Sequence, residues 1–113
     1  MKNLDSLPLN IRNALFELKG KLENRFRKRV EIYLFGSYAR GENIEYSDID
    51  ILVVLENEVN TSKEIEIFDV GYEIELKYNV VFGIIVYSKS HWERIKHLKS
   101  PLCVNIEKEG ISV

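Results

Sequence analysis

Two apolar runs, Val30–Phe35 and Ile51–Leu55, flank a short stretch that carries two glycines and two aspartates. In the first run Val30, Ile32 and Leu34 alternate with Glu31, Tyr33 and Phe35. Side chains of a strand project alternately to opposite faces, so this run is fairly apolar on both and predicts a central strand. The strand around the second run, residues 49–55, is apolar on both faces as well, with Ile49, Ile51 and Val53 on one and Leu52 and Val54 on the other. Gly36 ends the first strand. The order is therefore strand, tight glycine turn, short helical turn, loop, strand.

The remainder reads as scaffold for this pair. Ile11, Leu15, Leu18, Leu22 and Phe26 recur at helical spacing and predict a helix over about 10–28, with Pro8 near its start. Arg25, Arg27, Lys28 and Arg29 gather at its end, where positive charge complements the helix dipole. Residues 64–78 support two readings. Glu64 to Ile67 and Tyr72 to Leu76 alternate like a hairpin around Asp69-Val70-Gly71, while Ile65, Phe68, Tyr72 and Leu76 also fall at helical spacing. Thr61 with Glu64 can form a capping box, and that favours a helix over 62–78. Val80–Tyr87 then reads as a third, buried strand. Ser90 with Glu93 can open a short helix through Lys99, and Ser100-Pro101 can open another that ends at Gly110. The expectation is an α/β (α+β) domain: a small mixed β-sheet of three or more strands with helices packed on one face.

At 113 residues the chain suffices for one core and not two, so residues 1–113 are expected to form a single domain. Its net charge of -2 supplies no overall basic field, so DNA binding is not expected. No apolar run approaches a membrane span and the N-terminus lacks an apolar leader, which points to a cytoplasmic protein. The single cysteine, Cys103, excludes an internal disulfide and reads as a buried small hydrophobe. His91 and His97 read as surface or core-edge residues.

Chemistry concentrates at Gly36, Ser37, Asp48 and Asp50. Asp48 and Asp50 stand one residue apart at a strand entrance, which places both carboxylates on one face. Side by side they repel, and one tends to hold a proton unless a cation intervenes. Mg2+ suits the arrangement, because it takes one or two carboxylates and completes its shell with phosphate oxygens and water. Gly36 lets a ligand approach the backbone, and the Ser37 hydroxyl with the amides opening the next turn can donate to phosphate. An anion cradle beside a metal clamp is what an enzyme acting on a nucleoside triphosphate needs.

Gly36-Ser37, the ten residues 38–47 and Asp48-Ile49-Asp50 together resemble the G-S-x(10)-D-x-D signature of the DNA polymerase beta-like nucleotidyltransferases. The run from Gly36 to Leu55 is similar to their minimal nucleotidyltransferase (MNT) branch. The resemblance implies a nucleotidyltransferase fold. It also implies that Gly36 and Ser37 hold the β and γ phosphates of ATP or another triphosphate, and that Asp48 and Asp50 bind Mg2+. Arg40 is open to two roles, a phosphate contact or an ion pair that braces the loop. MNT proteins of this size act as antitoxins beside HEPN-domain toxins, so the implied activity is transfer of AMP to a hydroxyl on such a partner. The alternative is a catalytically lapsed module that neutralises the partner by complex formation. Modification of a small molecule such as an aminoglycoside fits less well, for want of a domain to hold it. A homo-oligomer is left open. Active members carry a third acid on the strand matching Val80–Tyr87, and here that strand has none; Glu73 or Glu75 becomes a candidate under the hairpin reading, and Glu93 follows the strand.

Overall fold

A computed structural model of the chain describes residues 3–113. The doubly apolar run forms β2 (Ile49–Leu55), inside the sheet. It pairs antiparallel with β1 (Val30–Phe35), with Val30 opposite Leu55 and Phe35 opposite Asp50. On its other side it pairs in parallel with β3 (Phe82–Ser88), with Asp50 opposite Gly83. A two-residue strand, β4 (Ile111–Ser112), adds antiparallel to β1 and completes the order β3-β2-β1-β4. The mixed sheet is as expected. β4 is too short to announce itself by alternation.

The helices cover both faces of this sheet, not one. α1 (Leu9–Phe26) and α3 (Thr61–Tyr78) pack on the face that carries Ile32, Leu34, Ile49, Ile51 and Val53. α4 (Lys89–Leu98) and α5 (Pro101–Glu109) close the other, where Trp92, Cys103 and Ile106 meet Leu52 and Val54. The reason lies in β2 itself. Ile49, Ile51, Leu52 and Val53 are all fully buried, and hiding each such side chain is worth about 1.5–3 kcal/mol relative to leaving it in water. Neither face can be left bare. The intervening α2 is one turn, Ser37–Arg40.

Helix boundaries differ from expectation where two capping residues compete. α3 is a helix and not a hairpin, but its N-cap is Asn60, whose side chain accepts from the Lys63 amide. Thr61 is already the first helical residue. The face differs too: Ile67, Val70, Gly71 and Ile74 are buried, while Ile65, Phe68, Tyr72 and Leu76 lie on the exposed side. α4 is capped by Ser88, which accepts from the His91 amide, rather than by Ser90. α5 begins as the sequence predicts, with Ser100 as its cap and Pro101 in the first turn. α1 stops at Phe26, so of the basic cluster only Arg25 lies in its last turn, where it pairs with Glu66 at 3.7 Å.

The capping geometry is checked by substitution. Asn60→Ala is expected to cost about 1 kcal/mol in urea unfolding, the usual value of a lost N-cap. Thr61→Ala, at an exposed first-turn position, is expected to stay within about 0.5 kcal/mol. Equal losses would restore the Thr61–Glu64 capping box.

Candidate active site

Strand register assembles the site. Because Phe35 faces Asp50 across the β1–β2 ladder, the turn after Phe35 begins beside the entrance to β2. Gly36 adopts φ 77° and ψ -154°, in the positive-φ region that an L side chain rarely enters. A Cβ there would also fall directly on Asp50 Oδ2. On the other side stands Gly83, where a Cβ would come 2.8 Å from Asp50 Oδ1. The carboxylate of Asp50 therefore occupies a slot between two residues that lack side chains. Gly83 was not singled out by sequence reasoning, and only the parallel register of β2 and β3 reveals its role.

The slot is electrostatically unbalanced. Asp50 is half-buried and Asp48 exposed. Loss of hydration, then the neighbouring charge of Asp48, raises the pKa of Asp50; Arg40 opposes this only in part. Among the described residues neither aspartate has an ion-pair or side-chain hydrogen-bond partner. Arg40 is engaged elsewhere. Its Nε donates to Glu42 at 2.6 Å, and an Nη donates to Glu109 at 3.1 Å. The loop-bracing role is thus the one its side chain fills in this structure, tying α2 to the end of α5.

Ser37 opens α2 with its hydroxyl free of partners among the described residues. The turn is closed by the amides of Arg40 and Glu42, which donate to the carbonyls of Gly36 and Ser37 at 3.1 and 2.9 Å. The first amides of a helix have no partner of their own within it. Two uncompensated carboxylates beside free donors fit a divalent cation carrying phosphate oxygens. Among the described residues no group of three or more histidine, cysteine or acidic side chains could hold a metal unaided. Phosphate and water would have to complete the shell, as Mg2+ accepts.

The other sequence candidates stand apart from this slot. Glu75 accepts from the Phe82 amide at 2.7 Å and so joins α3 to the start of β3. Glu73 is an exposed residue of α3, 3.9 Å from Lys21. Glu93 pairs with Lys89 and Lys96 on α4. His91 packs edge-on against Tyr87, 4.7 Å between ring centres, and His97 is exposed. Cys103 is buried, and burial followed by its contact with Glu107 raises its thiol pKa, which disfavours the thiolate.

Residues 15–112 match the family described as the nucleotidyltransferase domain. A candidate protein adenylyltransferase of Methanocaldococcus jannaschii is 39% identical over 82 residues, covering 72% of this chain and 77% of its own. A second from the same organism is 29% identical over 106 residues, covering 93% of this chain and 100% of its own. Among solved structures, a toxin-antitoxin crystallised with AMP-PNP superposes with a TM-score of 0.56 at 20% identity, over 88% of this chain and 69% of that one. At that identity the likeness bears on the fold.

A raised carboxylate pKa means that the folded protein holds the proton more tightly than the unfolded chain does. Ionised Asp50 therefore costs stability, and the cost sets in as pH rises from the unfolded value through the folded one. Asp50→Asn removes it. The variant is expected to melt a few degrees higher than the parent at pH 7 without divalent cations, roughly 2–5 °C. The gap should close as pH falls below about 3.9, where the parent is neutral at this position too. A variant that melts lower at pH 7 would show that the carboxylate is compensated.

Proposed function

Because the chain belongs to the nucleotidyltransferase domain family, we propose that it moves AMP from ATP onto a hydroxyl of another protein, with Mg2+, and releases pyrophosphate. That it is a nucleotidyltransferase follows from the family and from its adenylyltransferase relatives. The finer reading rests on one observation: a half-buried aspartate, wedged between Gly36 and Gly83, next to a second aspartate and without a cation of its own.

In this reading Asp48 and Asp50 hold Mg2+, which when bound polarises the α-phosphate and neutralises charge on the departing pyrophosphate. Gly36 lets the triphosphate approach the backbone, and Ser37 with the first amides of α2 donates to its β and γ oxygens. Arg40 acts as a positioning residue by fixing α2 through Glu109. The acceptor oxygen forms a bond to the α-phosphorus as the bond to pyrophosphate breaks, and the acceptor's proton passes to solvent water.

Residues 1–113 serve as a single minimal nucleotidyltransferase domain. The relatives' naming as protein adenylyltransferases supports a protein acceptor. The partner is taken to be a HEPN-type toxin, modified on a tyrosine hydroxyl, with this chain as cytoplasmic antitoxin. No helix among the described residues is long and apolar enough to cross a membrane. A second reading, a lapsed module that neutralises its partner by binding alone, has one observation in its favour. The β3 position opposite Asp50 is Gly83, so no carboxylate from that strand joins the pair.

Labelled ATP, Mg2+ and the product of the neighbouring gene separate the two readings. Label is expected on that product, with Asp48→Asn/Asp50→Asn lowering transfer at least about a hundredfold. Tight association with no label in the parent protein would favour the lapsed module. Gly83→Ala provides an independent check. Its Cβ forces the Asp50 carboxylate aside, and a displacement on the order of 1 Å is expected to lower transfer about a hundredfold while association with the partner persists.

A further inference from the structure

α3 presents an apolar stripe that nothing among the described residues covers. Ile65, Phe68, Tyr72 and Leu76 are 54%, 46%, 61% and 67% exposed, too open to belong to either core. Their spacing puts them on one side of the helix, over roughly 16 Å of its axis. Beside the stripe runs β3, which among the described residues pairs only with β2 and leaves its outer backbone edge open. Phe68, Tyr72, Phe82 and Ile84 line a groove of about 400 Å³ between helix and strand. Large apolar side chains grouped this way on a water-facing surface mark an interaction site.

Charge says what kind of partner fits. Helical spacing flanks the stripe with Asp69 and Glu73 on one side and Glu64 and Glu75 on the other. The two lysines of α3 lie off this side and are engaged, Lys77 with Glu17 at 2.7 Å and Lys63 with the Glu58 carbonyl at 2.8 Å. Among the described residues Glu64 and Asp69 form no ion pair. Glu73 has Lys21 at 3.9 Å and Glu75 accepts from the Phe82 amide, but the rim is acidic in balance. An apolar strip edged this way selects a partner whose apolar segment is flanked by lysine or arginine. A second copy fits poorly, because a twofold contact would set these acidic rims against each other.

The groove also lies close to the chemistry. Phe82 and Ile84 face α3, and between them Gly83 faces Asp50 from the other side of the same strand. We propose that the α3 stripe and the open edge of β3 form the docking surface for the protein acceptor. The segment that docks there is an apolar helix with basic flanks. The inference rests on the reading that the acceptor is a protein. A segment seated in the groove reaches the aspartates by passing around one strand, and nothing covalent happens at the groove itself.

The probes are two synthetic helical peptides as long as α3, each with one leucine face, one rimmed by lysine and the other by glutamate. Fluorescence anisotropy with the whole protein is expected to show the lysine-rimmed peptide bound at least about tenfold more tightly, with salt weakening it. Phe68→Ser/Tyr72→Ser is expected to lose that binding. Asp69→Lys/Glu73→Lys, which leaves the apolar stripe intact, is expected to reverse the preference. Equal binding of both peptides, binding of neither, or no change in the variants would overturn the proposal. So would a dimer in light scattering that Phe68→Ser/Tyr72→Ser converts to monomer, since the occupant would then be a second copy. Binding of ATP with Mg2+, measured on the same samples, should be unaffected by these changes. Its absence from the parent protein would count against the nucleotidyl-transfer reading and leave the peptide result standing.

Discussion

Asp50 carries a charge that its surroundings do not welcome. Its carboxylate is partly stripped of water, faces the charge of Asp48, and has only a distant arginine that already serves two glutamates. A fold built for stability alone would place a neutral or apolar group there. This one instead leaves Cβ atoms out of both flanking positions, Gly36 and Gly83, so that the carboxylate fits at all. Stability given up at one point to keep a charged group poised is the usual mark of a functional site.

That slot exists because β2 runs through the middle of the molecule. With Leu52 and Val54 sealed by α4 and α5, and Ile51 and Val53 sealed by α1 and α3, the strand is fixed on both faces. Its entrance cannot drift relative to the turn after β1 or to the start of β3. Register then does the rest, since Phe35 and Gly83 both face Asp50. Arg40 adds a tie across layers by joining α2 to Glu109 at the end of α5. Such half-exposed pairs contribute little to global stability. The value of this one is geometric, because it ties α2, which Ser37 opens, to the end of α5.

Much of this was legible in the chain. α1 follows from helical periodicity and β1 and β2 from short continuous apolar runs, while Gly36, Ser37, Asp48 and Asp50 stand out as residue types that local chemistry makes distinctive. What escaped notice depends on contacts distant in sequence. Spacing leaves residues 64–78 open between hairpin and helix, and the Thr61–Glu64 capping signal favours the helix that forms. Asn60 is nonetheless its cap, and it is Ile67, Val70 and Ile74, not Ile65, Phe68, Tyr72 and Leu76, that meet the sheet. α3 has two apolar sides, and spacing cannot rank them. The cover on both sheet faces was implicit in the composition of β2 but required knowing that it sits between β1 and β3. Gly83 carries no signal of its own in the sequence, and only its parallel partner gives it meaning.

Gly83 also bears on the proposed transfer to a hydroxyl. A carboxylate opposite Asp50 would be placed to draw the proton from an acceptor as it attacks, and such help is worth about a hundredfold or more. β3 offers none. The proposed reaction then depends on electrostatic stabilisation by the aspartates with their metal and by the serine turn, and on the acceptor's own readiness to ionise. A phenol, at a pKa of about 10, loses its proton far more readily than an aliphatic alcohol does. Within that proposed reaction, the absence of a side chain at residue 83 favours an acceptor that ionises as readily as a phenol.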